Sequence, residues 1–166
     1  MKIEIWTDGS SRGNPGPGGW ASIILTEDEV IELGGRENMT TNNRMELLGT
    51  IHGLREIQEA KSKKQEWIEV CTDSQYVVKG ITEWIGGWIK NNWKNSQKKD
   101  VLNRDLWEEL KKEVDRLESS GIKITWKHVA GHAGIALNER ADVIATSMAD
   151  DSHMELYRGE RKDYLV

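Results

Sequence analysis

The sequence predicts an α/β domain built on a five-stranded mixed sheet flanked by helices. Three observations lead there: five short runs of strand character, four runs of helical periodicity, and the interleaved order βββαβααβα. A chain of 166 residues fits one domain with a core large enough to fold alone.

Residues 2–8 (KIEIWTD) read as the first strand, with Ile3, Ile5 and Thr7 on one face. Residues 9–19 hold five glycines and both prolines, and read as a constrained turn. Residues 20–26 and 29–35 read as a hairpin joined by Glu27 and Asp28. Thr40 to Ala60 reads as a helix, because Leu47, Leu48, Ile51, Leu54 and Ile57 fall on one stripe. Trp67 to Thr72 is the fourth strand. Residues 75–93 read as a helix broken at Gly80 and at Gly86–Gly87. Asn103 is a candidate N-cap for a helix reaching Ser119, with Leu106, Trp107, Leu110, Val114 and Leu117 on one face. Gly121 stops it, and Ile122, Ile124 and Trp126 then alternate with Lys123, Thr125 and Lys127 in the fifth strand. The last helix spans about 137–148. Residues 150–166 are mixed in charge and are expected to be a partly ordered tail with no assigned role, which leaves 1–149 as the domain.

Charged residues make up 31% and hydrophobic residues 37%, a globular balance, and no apolar run approaches a membrane span. The opening MKIEIWTDGS lacks the apolar centre of a signal peptide, so the expected address is cytoplasmic. The single cysteine, Cys71, agrees with a reducing compartment. A net charge of −5 does not suggest a polyanion binder, but its distribution is uneven. Trp88 to Lys99 (WIKNNWKNSQKK) holds four lysines and no acid.

The first and fourth strands would lie parallel, and sites in open α/β sheets form beyond the carboxyl ends of such strands. Both end alike, in Thr7-Asp8-Gly9-Ser10 and Thr72-Asp73-Ser74-Gln75. Asp8 and Asp73 would then share a crevice, where each raises the cost of ionising the other. A divalent cation removes that cost. Glu46, placed in the first turn of the long helix, and Asp142, near the start of the last, could complete a site for one or two Mg²⁺ or Mn²⁺ ions. Each acid also has a plainer reading. Strand-end aspartates form turns, Asn43 and Glu46 fit a capping box, and Asp142 fits a helix dipole. Spacing alone does not make the four converge.

Four segments together resemble the type 1 ribonuclease H family: TDGSSRGNPGPGGW at 7–20, TTNNRMEL at 40–47, TDSQYV at 72–77, and HVAGHAGIALNERAD at 128–142. They run in register to about residue 149. A tryptophan-rich basic insertion after TDSQYV makes the chain similar to the bacterial form, whose basic handle would span about 81–99. Ile135 and Ala136 stand where many relatives carry polar residues or proline.

The resemblance implies the ribonuclease H-like fold and a four-carboxylate metal site at Asp8, Glu46, Asp73 and Asp142. It implies endonucleolytic hydrolysis of the RNA strand of an RNA–DNA hybrid, with two Mg²⁺ ions (Mn²⁺ as an alternative) in the substrate complex. The products carry a 5′ phosphate and a 3′ hydroxyl, and cutting is largely independent of sequence. Asp8 is expected to bridge the ions, Glu46 and Asp73 to flank the leaving-group side, and Asp142 to hold the nucleophile side. His132 matches the family's mobile histidine, a proton shuttle or product-release group. His128, continuing the fifth strand, reads as structural.

By resemblance, Asn14, Asn43 and Gln75 would read 2′-hydroxyls of the RNA strand or nearby minor-groove edges, with Asn42 in the same amide cluster. Thr41 and Asn14 would seat a phosphate of the DNA strand. In the handle, Ile81, Trp84, Ile85, Trp88 and Ile89 form an apolar stripe, which makes Trp84 and Trp88 core residues. Trp93 is the tryptophan expected to face a deoxyribose. Lys90, Lys94, Lys98 and Lys99 would engage phosphates. No obligate protein partner is evident, and a monomer is expected. Three rivals stand against this reading, one of them another nuclease or integrase of the wider superfamily, which TTNNRMEL and the handle disfavour. A glycoside hydrolase would use paired carboxylates without metal and leaves the lysines unexplained. A silent hybrid-binding module would lack a carboxylate, and none is missing here.

Overall fold

A computed structural model of the chain describes residues 1–58 and 66–166. The strands are β1 (Lys2–Ser11), β2 (Gly16–Leu25), β3 (Glu29–Thr40), β4 (Trp67–Thr72), β5 (Lys123–His128) and β6 (Arg158–Glu160). The helices are α1 (Asn42–Glu56), α2 (Gln75–Lys79), α3 (Ile85–Lys90), α4 (Arg104–Ser119) and α5 (Ala136–Ala149). The sheet order is β5-β4-β1-β2-β3-β6. β4 lies parallel to both β1 and β5, while β1, β2, β3 and β6 pair antiparallel in succession. The mixed sheet is therefore six strands wide. The sixth comes from the C-terminal segment: Arg158–Glu160 adds to the open edge of β3 opposite Glu29–Ile31.

Alternation along the strands divides two cores. Ile3, Ile5, Ile24, Ile68 and Val70 face α1 and α4, packing with Leu47, Ile51, Leu54, Trp107 and Leu110. Trp6, Ala21, Ile23, Leu25 and Val30 face the other side, against Ala141, Ile144 and Ala145 of α5. Met154, Leu156, Tyr157 and Tyr164 of the C-terminal segment pack on this second core.

The glycine-rich stretch differs from the expected turn. Only its centre turns. Its flanks are the paired ends of β1 and β2, with Gly9 opposite Trp20 and Ser11 opposite Gly18. The glycines serve close packing: a Cβ on Gly19 would collide with the backbone of α5, and one on Gly9 with the backbone of α1.

Helix α1 starts at a Thr41 N-cap, whose hydroxyl accepts from the Arg44 N–H at 3.3 Å. The Asn43–Glu46 capping box does not form, and Glu46 lies beyond the first turn. The helix stops at Glu56, where Arg116 Nη2 donates to the Leu54 and Ile57 carbonyls at 3.1 and 3.0 Å. Residues 59 and 60 of the expected helix fall outside the described residues.

Between α2 and α3 the chain stays helical through a wide π turn, Gly80–Trp84. Gly80 begins it because the Trp107 indole occupies the space a side chain would need. Gly86 and Gly87 do not break the helix; both face open space. Among the described residues no helix is long and apolar enough to cross a membrane.

Candidate metal centre and nucleic-acid face

The parallel pairing of β1 and β4 sets Thr7 beside Thr72, so Asp8 and Asp73 leave neighbouring strand ends together. Glu46 reaches the same place from α1 because Gly9 lets the helix backbone sit directly on β1. One carboxylate oxygen from each of Asp8, Glu46 and Asp73 lies within 4.8 Å of the others. Asp8 Oδ1 accepts the Gly9 N–H at 2.8 Å.

Asp8 and Glu46 are buried, whereas Asp73 is half-buried. Burial first, then the Asp73 charge, pushes the Asp8 carboxyl up to about 7. Burial, followed by the Asp8 charge, holds Glu46 well above the usual carboxylate range. Glu46 Oε2 is a buried oxygen without a hydrogen-bond partner. Buried polar atoms are normally paired, so an orphaned oxygen on a glutamate that meets two other carboxylates calls for a cation. The donor set is entirely oxygen, which suits a hard dication such as Mg²⁺, Mn²⁺ or Ca²⁺.

Asp142 stands apart from this trio. It is half-buried on the second turn of α5 and outside the tight cluster. Its charge still adds to the upward push on Asp8.

His132 is exposed at the tip of the loop from β5 to α5, in a left-handed conformation at φ 55°. The loop crosses near Asp73: a Cβ on Gly131 would lie 3.0 Å from Asp73 Oδ2. His128 is also exposed, and its Nε2 lies 3.1 Å from the Asp73 carbonyl. That contact pins the backbone of a candidate ligand, a role that the register Thr72–His128 foreshadows once the parallel pairing is known.

Between the end of β1 and the starts of α1 and α4 lies a cleft of about 620 Å³ lined by Ser11, Gly13, Asn14, Thr41, Asn42, Asn43, Leu102 and Asn103. It gathers four of the expected substrate-contacting residues. Asn42 has a second task, since its Oδ1 accepts the Ser11 N–H at 2.6 Å and ties α1 to the end of β1. Gln75 is exposed at the start of α2, after the Ser74 N-cap. Asn103 and the Trp107 indole both donate to the Tyr76 hydroxyl at 3.0 Å, and Arg44 donates to Asn103 at 3.3 Å. These bonds join the starts of α1, α2 and α4, the elements that carry Asn43 and Gln75.

In the handle, Lys90, Lys94, Lys98 and Lys99 are all exposed. Lys94 is engaged with Asp100. Trp93 departs from its expected outward role. It is 9% exposed, packed near Trp88 and covered by Arg104, whose guanidinium lies 5.3 Å from the ring centroid. Trp84, expected in the handle core, is 38% exposed. The π turn shifts the helical phase, and an i, i+3, i+4 stripe drawn across it misassigns faces.

Comparison with known proteins places these residues in context. The family model described as RNase H matches residues 1–150. A "Ribonuclease H" from Syntrophotalea carbinolica is 50% identical over 149 residues, 90% of this chain and 91% of that one. Among solved structures, LC9-RNase H1, described as a type 1 RNase H with the type 2 active-site motif, superposes with a TM-score of 0.75 at 29% identity. That match covers 94% of this chain and 76% of the other. LC11-RNase H1 in complex with an RNA/DNA hybrid shares the fold, with a TM-score of 0.65 at 23% identity over 90% of this chain and 97% of that one.

Proposed function

This chain belongs to the ribonuclease H family, and from that premise we propose how its residues cut the RNA strand of an RNA–DNA hybrid. The activity is endonucleolytic hydrolysis by a metal-dependent ribonuclease H. The observation that carries the reading is the meeting of Asp8, Glu46 and Asp73, together with a buried Glu46 oxygen that has no hydrogen-bond partner.

Asp8, Glu46, Asp73 and Asp142 would hold two Mg²⁺ ions, with Mn²⁺ as an alternative. Such ions, when bound, neutralise an anionic phosphodiester and make water nucleophilic near neutral pH, as in other two-metal sites. Asp8 is central because it contacts Glu46, feels Asp73 most strongly, and is within electrostatic reach of Asp142. Asp142, on a different element and more open, serves the nucleophile side, where looser attachment suits product exit. His132 projects from its loop to move a proton or draw off the product phosphate. Cleavage leaves a 5′ phosphate and a 3′ hydroxyl.

Asn14, Asn42, Asn43 and Gln75 offer amides to the 2′-hydroxyls that distinguish RNA from DNA. Thr41 and Asn14 offer donors to a phosphate in the cleft they line. The handle lysines engage phosphates without reading sequence. Trp84, with its exposed face, replaces Trp93 as the aromatic surface available to a sugar. The working compartment is the cytoplasm, in keeping with a buried free thiol at Cys71.

Cleavage of labelled RNA–DNA hybrid, double-stranded RNA and double-stranded DNA, each with and without chelator, tests the reading. Only the hybrid should be cut, and only without chelator. Asp8→Asn should abolish cutting while leaving hybrid binding measurable. Chelator-resistant cutting, or full activity in Asp8→Asn, would refute the metal-site assignment. Binding without cleavage by the wild type would favour the silent module.

A further inference from the structure

Glu32 has a fully buried side chain. It projects from β3 on the same face as Val30, toward α5 and the second core. Four donors converge on its two oxygens. Arg140 of α5 supplies Nε at 2.6 Å and Nη2 at 2.8 Å. The C-terminal segment supplies the Tyr157 N–H at 2.9 Å and the Tyr164 hydroxyl at 2.7 Å. A bidentate guanidinium pair completed by two further donors is strong and geometrically specific.

Arg140 lies two residues before Asp142 on the same helix. The start of α5 has apolar packing from Ile135, Leu137 and Ala141 but no side-chain cap to fix its direction. Its N-cap position is Ile135, with no side-chain cap bond, and the loop before it turns through left-handed residues at His132 and Gly134. The buried fork between Arg140 and Glu32 adds a directional polar tie to the apolar packing of Leu137 and Ala141 that seats the first turns of α5 on the sheet. Asp142 is the one family carboxylate that the tight cluster does not already fix.

We propose that Glu32, closed over by Tyr157 and Tyr164, is a positioning residue for Asp142. The C-terminal segment sets, through Glu32 and Arg140, where α5 delivers the Asp142 carboxylate to the cation site. The inference rests on the function proposed above. It gives residues 157–164 a task in catalysis although they lie beyond the matched family region. Loosening the fork would let α5 rotate or slide, and Asp142 would meet the cation less often. The Asp8–Glu46–Asp73 trio and the hybrid-binding cleft lie on other elements and would stay as they are.

The test compares wild type, Glu32→Gln and Tyr164→Phe with Glu113→Gln. Glu113 is a control because it is also buried and paired with two arginines, Arg55 and Arg116, but on α4. All are assayed at a temperature where circular dichroism shows them folded. Two quantities are read: Mn²⁺ binding by calorimetry without substrate, and kcat and KM for hybrid in Mg²⁺. Glu32→Gln should weaken Mn²⁺ binding and lower kcat roughly tenfold, the scale of lost support behind a metal ligand, with KM little changed. Tyr164→Phe keeps the ion pair and should move both quantities in the same direction by less. It carries the test alone if Glu32→Gln does not fold. Glu113→Gln should change neither. Wild-type cation binding and kcat in both Glu32→Gln and Tyr164→Phe would overturn the inference, as would equal losses in Glu113→Gln. A wild type that neither binds Mn²⁺ nor cuts hybrid would instead remove the functional reading itself.

Discussion

Replacing Gly9 with alanine should harm this protein more than its size suggests. The added methyl would land on the Glu46 backbone nitrogen and the Met45 carbonyl carbon, and 2.8 Å from Met45 Cβ. To restore ordinary contact, α1 must retreat from β1 by about an ångström. The helix has no freedom to do so alone. Gly49 and Gly53 seat it against the Ala21 carbonyl and the Ser22 hydroxyl further along. Overpacking a tight interior costs about 1–3 kcal/mol, and backbone against backbone belongs at the upper end. The same movement carries Glu46 away from Asp8 and Asp73. A misplacement of about 1 Å at a reacting centre can cost on the order of 10²-fold in rate. Urea unfolding midpoints and hybrid cleavage rates read the two effects. Gly86→Ala is the counterpart: that glycine is helical and faces open space, so alanine should gain roughly 0.5–1 kcal/mol and leave cleavage alone. If Gly9→Ala matched the wild type in midpoint and rate, the close approach would not be what builds the site.

Other outcomes follow from the same contacts. Replacing Lys90, Lys94, Lys98 and Lys99 together should weaken hybrid binding and flatten its log–log salt slope by about 0.9 for each lysine that touches a phosphate. Lys94, already engaged with Asp100, should contribute least among single variants; an unchanged slope in the quadruple variant would remove the handle from the interface. The stability contributed by Glu32 should depend on pH. Burial alone would raise its carboxyl, but Arg140, Tyr164 and the Tyr157 N–H outweigh that and hold it below its ordinary value. A depressed folded value gives stability that is complete above the unfolded pKa, about 4.3, and is lost as pH falls through the folded one. Glu32→Gln should therefore cost about 3 kcal/mol at neutral pH and progressively less in acid, followed by denaturant titration at several pH values. A pH-independent difference would contradict the assignment. Cys71, buried and with its thiol pushed up to about 12 by burial and then the Glu69 charge, should resist alkylation until the protein is unfolded. Rapid labelling of the native protein would show it to be accessible.

Much of this architecture was legible in the sequence because it is local. The α4 stripe from Leu106 to Leu117 is buried as its period predicts, and the matching ends of β1 and β4 do place Asp8 beside Asp73. What was not legible depends on partners distant along the chain. Glycines 16, 18 and 19 look like a turn, yet they are strand residues: Gly18 is kept small by α1 and β3, Gly19 by α5, and Gly16 by the Arg12 backbone of the turn itself. A three-residue β6 has no periodicity to read, and exists because β3 offers an open edge. Trp84 is exposed because a π turn at Gly80 against Trp107 is invisible to a fixed helical period, and Trp93, past the end of α3, turns inward to Trp88 and Arg104 on a left-handed backbone that no period encodes. The convergence of Glu46 on the two aspartates came from family resemblance, and its physical cause is the side-chain-free surface of Gly9.

The most direct measurement is a crystal of this protein soaked in Mn²⁺ and examined at the manganese absorption edge. An anomalous peak should stand among Asp8, Glu46 and Asp73, within coordination distance of the Glu46 oxygen that otherwise has no partner. A well-soaked crystal with no peak there, or with manganese bound only at other acids, would contradict the account.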